Sequence, residues 1–145
     1  EQSILADSVA KFIDANYDFE TRQKIAGNRE LSEQMWQDFA ELGWTAVPFA
    51  EEDGGLDGGP IELMLMMEQF GRGLVIEPFL ANIVLAGGAL KRTANAEQKA
   101  NWLAPVIAGE LEAALAFAEP QARFDVSDIT TTARTDNDDF VLNGR

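Results

Sequence analysis

Residues 42–73 read LGWTAVPFAEEDGGLDGGPIELMLMMEQFGRG, and their reading decides the fold. Gly43 stops a helix, an acidic glycine-rich loop follows, and Gly59-Pro60 opens the most apolar segment of the chain. Gly59 stands as N-cap and Pro60 as first helical residue, where its missing N–H costs nothing. Glu62 falls in the first turn, where the helix dipole favours an anion. Ile61, Leu63, Met64, Leu65, Met66, Met67 and Phe70 put apolar side chains on nearly every face, which predicts a helix buried on nearly every side.

Working outward toward the N-terminus, Ser3–Asn16 carries Ile4, Leu5, Val9, Phe12 and Ile13 along one stripe of an amphipathic helix. The charged passage 18–29 leaves one or two helical turns open. Ser32 reads as an N-cap, with Leu31 and Trp36 at the two positions of a hydrophobic staple. Met35, Trp36, Phe39 and Leu42 share the face of that helix, Gly43 ends it, and Trp44 is placed to touch Phe39.

Toward the C-terminus, Gly71 and Gly73 break the apolar pattern, and Pro78 starts a helix containing Phe79, Leu80, Ile83, Val84 and Leu85. The adjacent Gly87 and Gly88 cost helix stability, so they signal close packing or termination. Asn95 and Gln98 form a capping-box pattern, Trp102 and Leu103 are expected to face inward, and Pro105 interrupts. Beyond Gly109 the period changes. Glu112–Phe117, Thr130–Arg134 and Phe140–Leu142 read as strands, with a polar turn at Asp136–Asp139. The expected fold is mainly α: an up-and-down bundle of five or six helices over residues 1–110, then the first strands of a β-domain over 111–145.

Composition narrows the chemistry. Eleven Lys and Arg against 25 Asp and Glu give a formal charge of −14, which repels phosphate backbones and anionic membrane surfaces. The chain has no Cys and no His, which excludes disulfides, thiolate zinc sites and Ser–His–Asp triads within it. No apolar run approaches the roughly 18 residues of a membrane span, and no signal peptide is visible at residue 1. A cytoplasmic protein is expected. The absence of an initiating Met and the stop after FVLNG suggest a piece of something longer, whose unpaired strand edges favour association with another copy.

Single motifs leave alternatives open. Glu51–Asp53 with Asp57 could hold a hard cation, but the spacing fits no EF-hand and a solvated loop explains it as well; no metal is assigned. The three Trp residues could make a stacking surface or belong to the core. The Met64–Met67 run could line an adaptable pocket or simply pack.

Five phrases taken together are more specific: WQDFAELGWTAVPFAEEDGGLDGG (36–59), MEQFGRG (67–73), NAEQKANWLAPVIAGE (95–110), LAFAEP (115–120) and ITTTARTDNDDFVLNG (129–144). In this order and spacing they resemble the amino-terminal helical domain of the acyl-CoA dehydrogenase family running into its middle β-domain. Within the family, AEPQARFD (118–125) is more similar to the small-subunit members that act on pimeloyl-CoA, a dicarboxylic acyl chain.

The resemblance implies an FAD enzyme that removes an acyl-CoA α-proton with a glutamate base while the β-hydrogen leaves as hydride. Electron-transfer flavoprotein is the implied acceptor, and a homo- or hetero-oligomer the implied assembly. It places Leu115, Phe117 and Ala118 on a strand beside the flavin. In the usual family form Thr-Glu-Pro precedes Gly-Ala-Gly-Ser-Asp. Here Ala118 lacks that Thr hydroxyl, and Phe124 stands where a Ser clasps the pyrophosphate. Arg123 either supplies charge to a phosphate or faces solvent. Glu119 and Pro120 read as a strand exit with a solvated carboxylate. Phe79 and Ile83 fall either on the wall of the acyl cavity or in ordinary bundle core. No catalytic residue is assigned in this chain, because the base belongs to a later domain, and FAD is not expected to be retained by these 145 residues alone. Two alternatives remain: a related flavin oxidase or monooxygenase of the same fold, and a noncatalytic subunit that shapes a partner's site.

Overall fold

The computed structural model describes residues 2–144 and divides into two units, residues 1–115 and 116–145. The first is helical. α1 (Gln2–Asn16), α2 (Phe19–Gly27), α3 (Arg29–Glu41) and α4 (Pro60–Gly73) are followed by a π-helical stretch Leu80–Gly87 that runs into α5 (Gly88–Thr93). A last helical run comprises α6 (Ala96–Gln98), π-helical Lys99–Leu103 and α7 (Ala104–Ile107). The second unit holds one antiparallel hairpin, β1 (Thr132–Asp136) and β2 (Asp139–Asn143), with Asp136 opposite Asp139 and Thr132 opposite Asn143. Asn137 in its tight turn takes a left-handed φ of 57°.

The helix starts follow local chemistry. Asp18 caps α2 by accepting the Thr21 N–H at 2.7 Å. Asn28 caps α3 by accepting from Glu30 and Leu31, so the N-cap lies four residues before Ser32, the cap read from sequence. Asn28 is the better cap because its side chain serves α3 while its backbone N–H closes α2 on the Ile25 carbonyl. Gly59 does precede α4, with its N–H donated to Glu62 Oε2 at 2.8 Å. Asn95 and Gln98 exchange both bonds of the expected capping box, at 2.8 and 3.0 Å. Before Pro105, the Ala104 N–H reaches the Lys99 carbonyl, and this wider π turn accommodates a residue that has no N–H to give.

One aromatic chain ties the unit together. Phe12 meets Trp44 at 5.1 Å, Phe39 lies 5.1 Å from Trp44 and stacks on Phe70 at 5.2 Å, and Phe70 meets the edge of Phe79 at 5.0 Å. The Phe39–Trp44 contact after left-handed Gly43 is the helix ending expected from sequence. α1 and α4 run in the same direction: Gln2 donates to Glu62 near their starts, and Arg72 pairs with Asp14 at 2.7 Å near their ends. Gly87 allows the π-helical stretch to sit on Phe49, since a Cβ there would meet Phe49 Cζ at 2.7 Å. Gly87 is therefore a packing device inside a continuous helix.

Several expectations fail on burial. Of the apolar residues of α4 only Met66 and Phe70 are buried, while Ile61 and Met64 are more than half exposed. Within the helical unit α4 packs on α1 and the aromatic chain, with Leu63 and Met67 partly buried against the core, and Ile61 and Met64 point away from it. Ile4 on α1 and Trp102 are exposed as well; at Trp102 the π turn gives the inward position to Leu103 alone. Residues 112–117 form no strand, because no second strand is available for their backbone among the described residues. The two strands that do form start and end within two residues of their sequence positions.

Candidate functional site

The path to the site begins where α4 ends. Leu74 turns the chain with φ 52°, and the Val75 N–H closes on the Phe70 carbonyl at 2.9 Å. This turn delivers Glu77 into the interior, where it is 6% exposed. Tyr17, at the end of α1, donates its hydroxyl to Glu77 Oε2 at 2.7 Å and accepts the Ile76 N–H at 2.9 Å. Ser32 on α3 adds a longer bond to Glu77 Oε1 at 3.3 Å. Burial, reinforced by the hydrogen bond to the Glu77 carboxylate, pushes the Tyr17 phenol well above its ordinary range. Arg22 donates to the Leu74 carbonyl at 2.7 Å and fixes the same turn from α2.

Beside this network lies a cleft of about 320 Å³ lined by Met67, Phe70, Leu74, Val75, Glu77, Phe79 and Leu80. A second, of about 230 Å³, is lined by Phe49, the Gly58–Pro60 turn, Leu63, Ile83, Val84, Lys91 and Arg92. Phe79 and Ile83, the two acyl-wall candidates, are both fully buried and border different clefts, Phe79 the first and Ile83 the second.

Asn82 organises the exit from the helical unit. It is completely buried, its Nδ2 donates to the Leu111 carbonyl at 3.3 Å, and its Oδ1 accepts the Ala113 N–H at 2.9 Å. An amide paired with two backbone groups fixes an extended segment much as a neighbouring strand would. Thr45 and Trp36 secure the end of α7 in the same way, donating to the Ile107 and Gly109 carbonyls at 2.7 and 3.1 Å.

The five cofactor candidates lie at 115–124. Leu115, Phe117, Ala118, Arg123 and Phe124 are exposed, Phe124 completely, and Arg123 holds a left-handed φ of 52°. No hydrogen bond is made by the backbone of 115–118 among the described residues. Glu119, expected as a solvated carboxylate at a strand exit, lies partly exposed at the surface and is also held by several donors. Its Oε2 accepts from the Thr130 hydroxyl and N–H and from Gln121, and its Oε1 accepts the Thr131 N–H at 2.9 Å. These donors, the Thr130 hydroxyl foremost, hold Glu119 far below the usual carboxylate range. Asp53 pairs with Lys99 at 2.9 Å instead of joining an acidic cluster, and no group among the described residues could hold a metal ion.

Sequence reading missed Tyr17, Asn82 and Glu77. The lone amide inside LANIVLAG, and the lone carboxylate between Ile76 and Pro78, were the available signals.

Residues 1–110 match the family model for the acyl-CoA dehydrogenase N-terminal domain. The chain belongs to the acyl-CoA dehydrogenase family. It is 32% identical to acyl-CoA dehydrogenase FadE12 of Mycobacterium tuberculosis over its whole length, which is 37% of that protein. It is also 32% identical to mitochondrial isovaleryl-CoA dehydrogenase of Bos taurus, with 99% of this chain and 34% of that protein covered. The chain thus spans little more than a third of the relatives it matches. Among solved structures, 99% of this chain superposes on 38% of PigA with FAD and proline, with a TM-score of 0.83 and 27% identity. The ChsE4–ChsE5 complex of M. tuberculosis shares the fold, with a TM-score of 0.83 at 24% identity, covering 99% of this chain and 36% of that one. The family's helical domain leading into strands is the fold seen here. No helix among the described residues is long and apolar enough to cross a membrane.

Proposed function

We propose that this chain is the amino-terminal part of an FAD-dependent dehydrogenase that removes hydrogen across the α,β-bond of an acyl-CoA thioester. The family match over residues 1–110 carries this reading. The dehydrogenases named above and the relative solved with FAD support it.

The residues present fit a flavin in one respect. Backbone groups at 115–118 have no partner among the described residues, and Leu115, Phe117 and Ala118 stand open to a planar ring. Arg123 supplies the cation for a phosphate, and exposed Phe124 supplies apolar surface in place of a hydroxyl. A bound flavin would supply the acceptor for the hydride that leaves the acyl β-carbon. This chain's part would be to hold the flavin at 115–118 and, through Phe79 at the apolar cleft, to keep the acyl tail away from water. No carboxylate here is assigned as the base. A complex partner that carries off electrons is consistent with the 28% identical Caffeyl-CoA reductase–Etf complex subunit CarC of Acetobacterium woodii.

A second reading rests on 118–125. Ala118 and Phe124 both lack hydroxyls, which favours a subunit that binds flavin weakly and shapes a partner's site. One experiment separates the two: the protein carrying this chain is purified and mixed anaerobically with acyl-CoA. Stoichiometric flavin that bleaches supports dehydrogenation. A colourless protein that gains activity only with a partner supports the second reading, and no flavin with or without a partner contradicts both.

A further inference from the structure

Glu77 is a buried carboxylate, and none of the ion pairs among the described residues includes it. Its neighbours are hydroxyls. The Tyr17 oxygen takes the Ile76 N–H, so its own proton is committed to Glu77 Oε2, and Ser32 meets Oε1. A carboxylate offers about four acceptor positions, so these two bonds leave acceptor capacity at a group that borders the apolar cleft. A glutamine could accept the Tyr17 hydroxyl and donate to Ser32, so neither of these two bonds requires a carboxylate. The carboxylate's spare acceptor capacity beside the cleft therefore calls for a role.

We propose that Glu77 is a specificity-determining residue of the cleft between α4 and the π-helical stretch. It accepts a hydrogen bond from a hydroxyl or amino group carried on the acyl chain and rejects a chain ending in a carboxylate. This rests on the acyl-binding reading above. A donor reaching Glu77 forms a hydrogen bond among Met67, Phe70, Phe79 and Leu80, where little water competes. A tail ending in a carboxylate has no proton to donate and brings acceptor oxygens against those of Glu77. The pimeloyl-type tail suggested by residues 118–125 is thereby disfavoured.

The test uses the ¹⁵N-labelled chain and three N-acetylcysteamine thioesters: hexanoyl, ω-hydroxyhexanoyl and ω-carboxypentanoyl. Binding is followed at the amides of Ile76, Phe79 and Leu80. The ω-hydroxy tail is expected to bind about fivefold or more tighter than hexanoyl, and the ω-carboxy tail about fivefold or more weaker. Glu77→Gln, its folding checked by thermal melt, should shrink both differences below about twofold. Equal binding of the three tails, or an unchanged ranking in Glu77→Gln, overturns the proposal while leaving the acyl cleft intact. If no thioester moves any of these amides, the acyl-cleft reading falls and this inference with it. The ranking on the unaltered chain decides the matter even if the variant fails to fold.

Discussion

The two units of this chain treat their apolar residues in opposite ways. In the helical unit Val9, Phe39, Met66, Phe79, Ile83 and Leu103 are at most 1% exposed and join one cluster. In the second unit every strand residue is exposed, and Ala122 alone is buried among the described residues. Phe140 and Leu142 share one face of the hairpin with Ala133 and Thr135 opposite them, and nothing in that unit covers this face. A lone two-stranded hairpin is marginal in water. The helical unit thus carries its own stability, and the strand unit holds its shape through local bonds such as the Glu119 clamp.

The largest expected effect lies in the aromatic chain. Phe39→Ala should cost about 3–5 kcal/mol in denaturant unfolding, whereas Phe140→Ala should stay within about 0.5 kcal/mol, as an exposed position does. Comparable losses would break the distinction between the units. Asn82→Ala should cost about 1–3 kcal/mol by stranding the Leu111 and Ala113 backbone groups, and it should speed hydrogen exchange at Ala113. Gly87→Ala should cost about 1–3 kcal/mol, because its methyl group would press on Phe49.

Two titrations sharpen the comparison with smaller effects. Tyr17 is the only tyrosine, so phenolate absorbance reports it alone. Its folded pKa is raised, chiefly by burial. Its contribution is therefore complete below the ordinary tyrosine value of about 10 and is lost as pH climbs beyond it. No phenolate should appear near pH 10 until the helices melt. Glu119 has the opposite sign. Its pKa is depressed, chiefly by the Thr130 hydroxyl, so the clamp is complete above the ordinary glutamate value of about 4.3 and is lost only as pH falls well below it. Carboxylate NMR should show Glu119 still ionised where exposed glutamates have protonated.

What the sequence made legible follows from how local each signal is. The Gly43 ending, the Gly59-Pro60 start and the Asn95–Gln98 box depend on neighbours a few residues apart, and all three formed. The burial of α4 depends on which elements cover it, so its all-round apolar pattern misled at Ile61 and Met64. Residues 112–117 are apolar enough for a strand, but a strand needs a partner that composition cannot supply. The Tyr17–Glu77 bond joins residues sixty positions apart, and no periodicity predicts such a contact.

Native-state hydrogen exchange tests the central contrast most directly. Amides of Met66 and Phe70 in α4 should exchange only through global unfolding, with a protection free energy that matches the denaturant-derived stability. Amides of β1 and β2 should exchange through local opening at a small fraction of that value. Strand amides as protected as those of α4 would contradict the account, because the second unit would then share in the stability that the helical unit is argued to hold by itself.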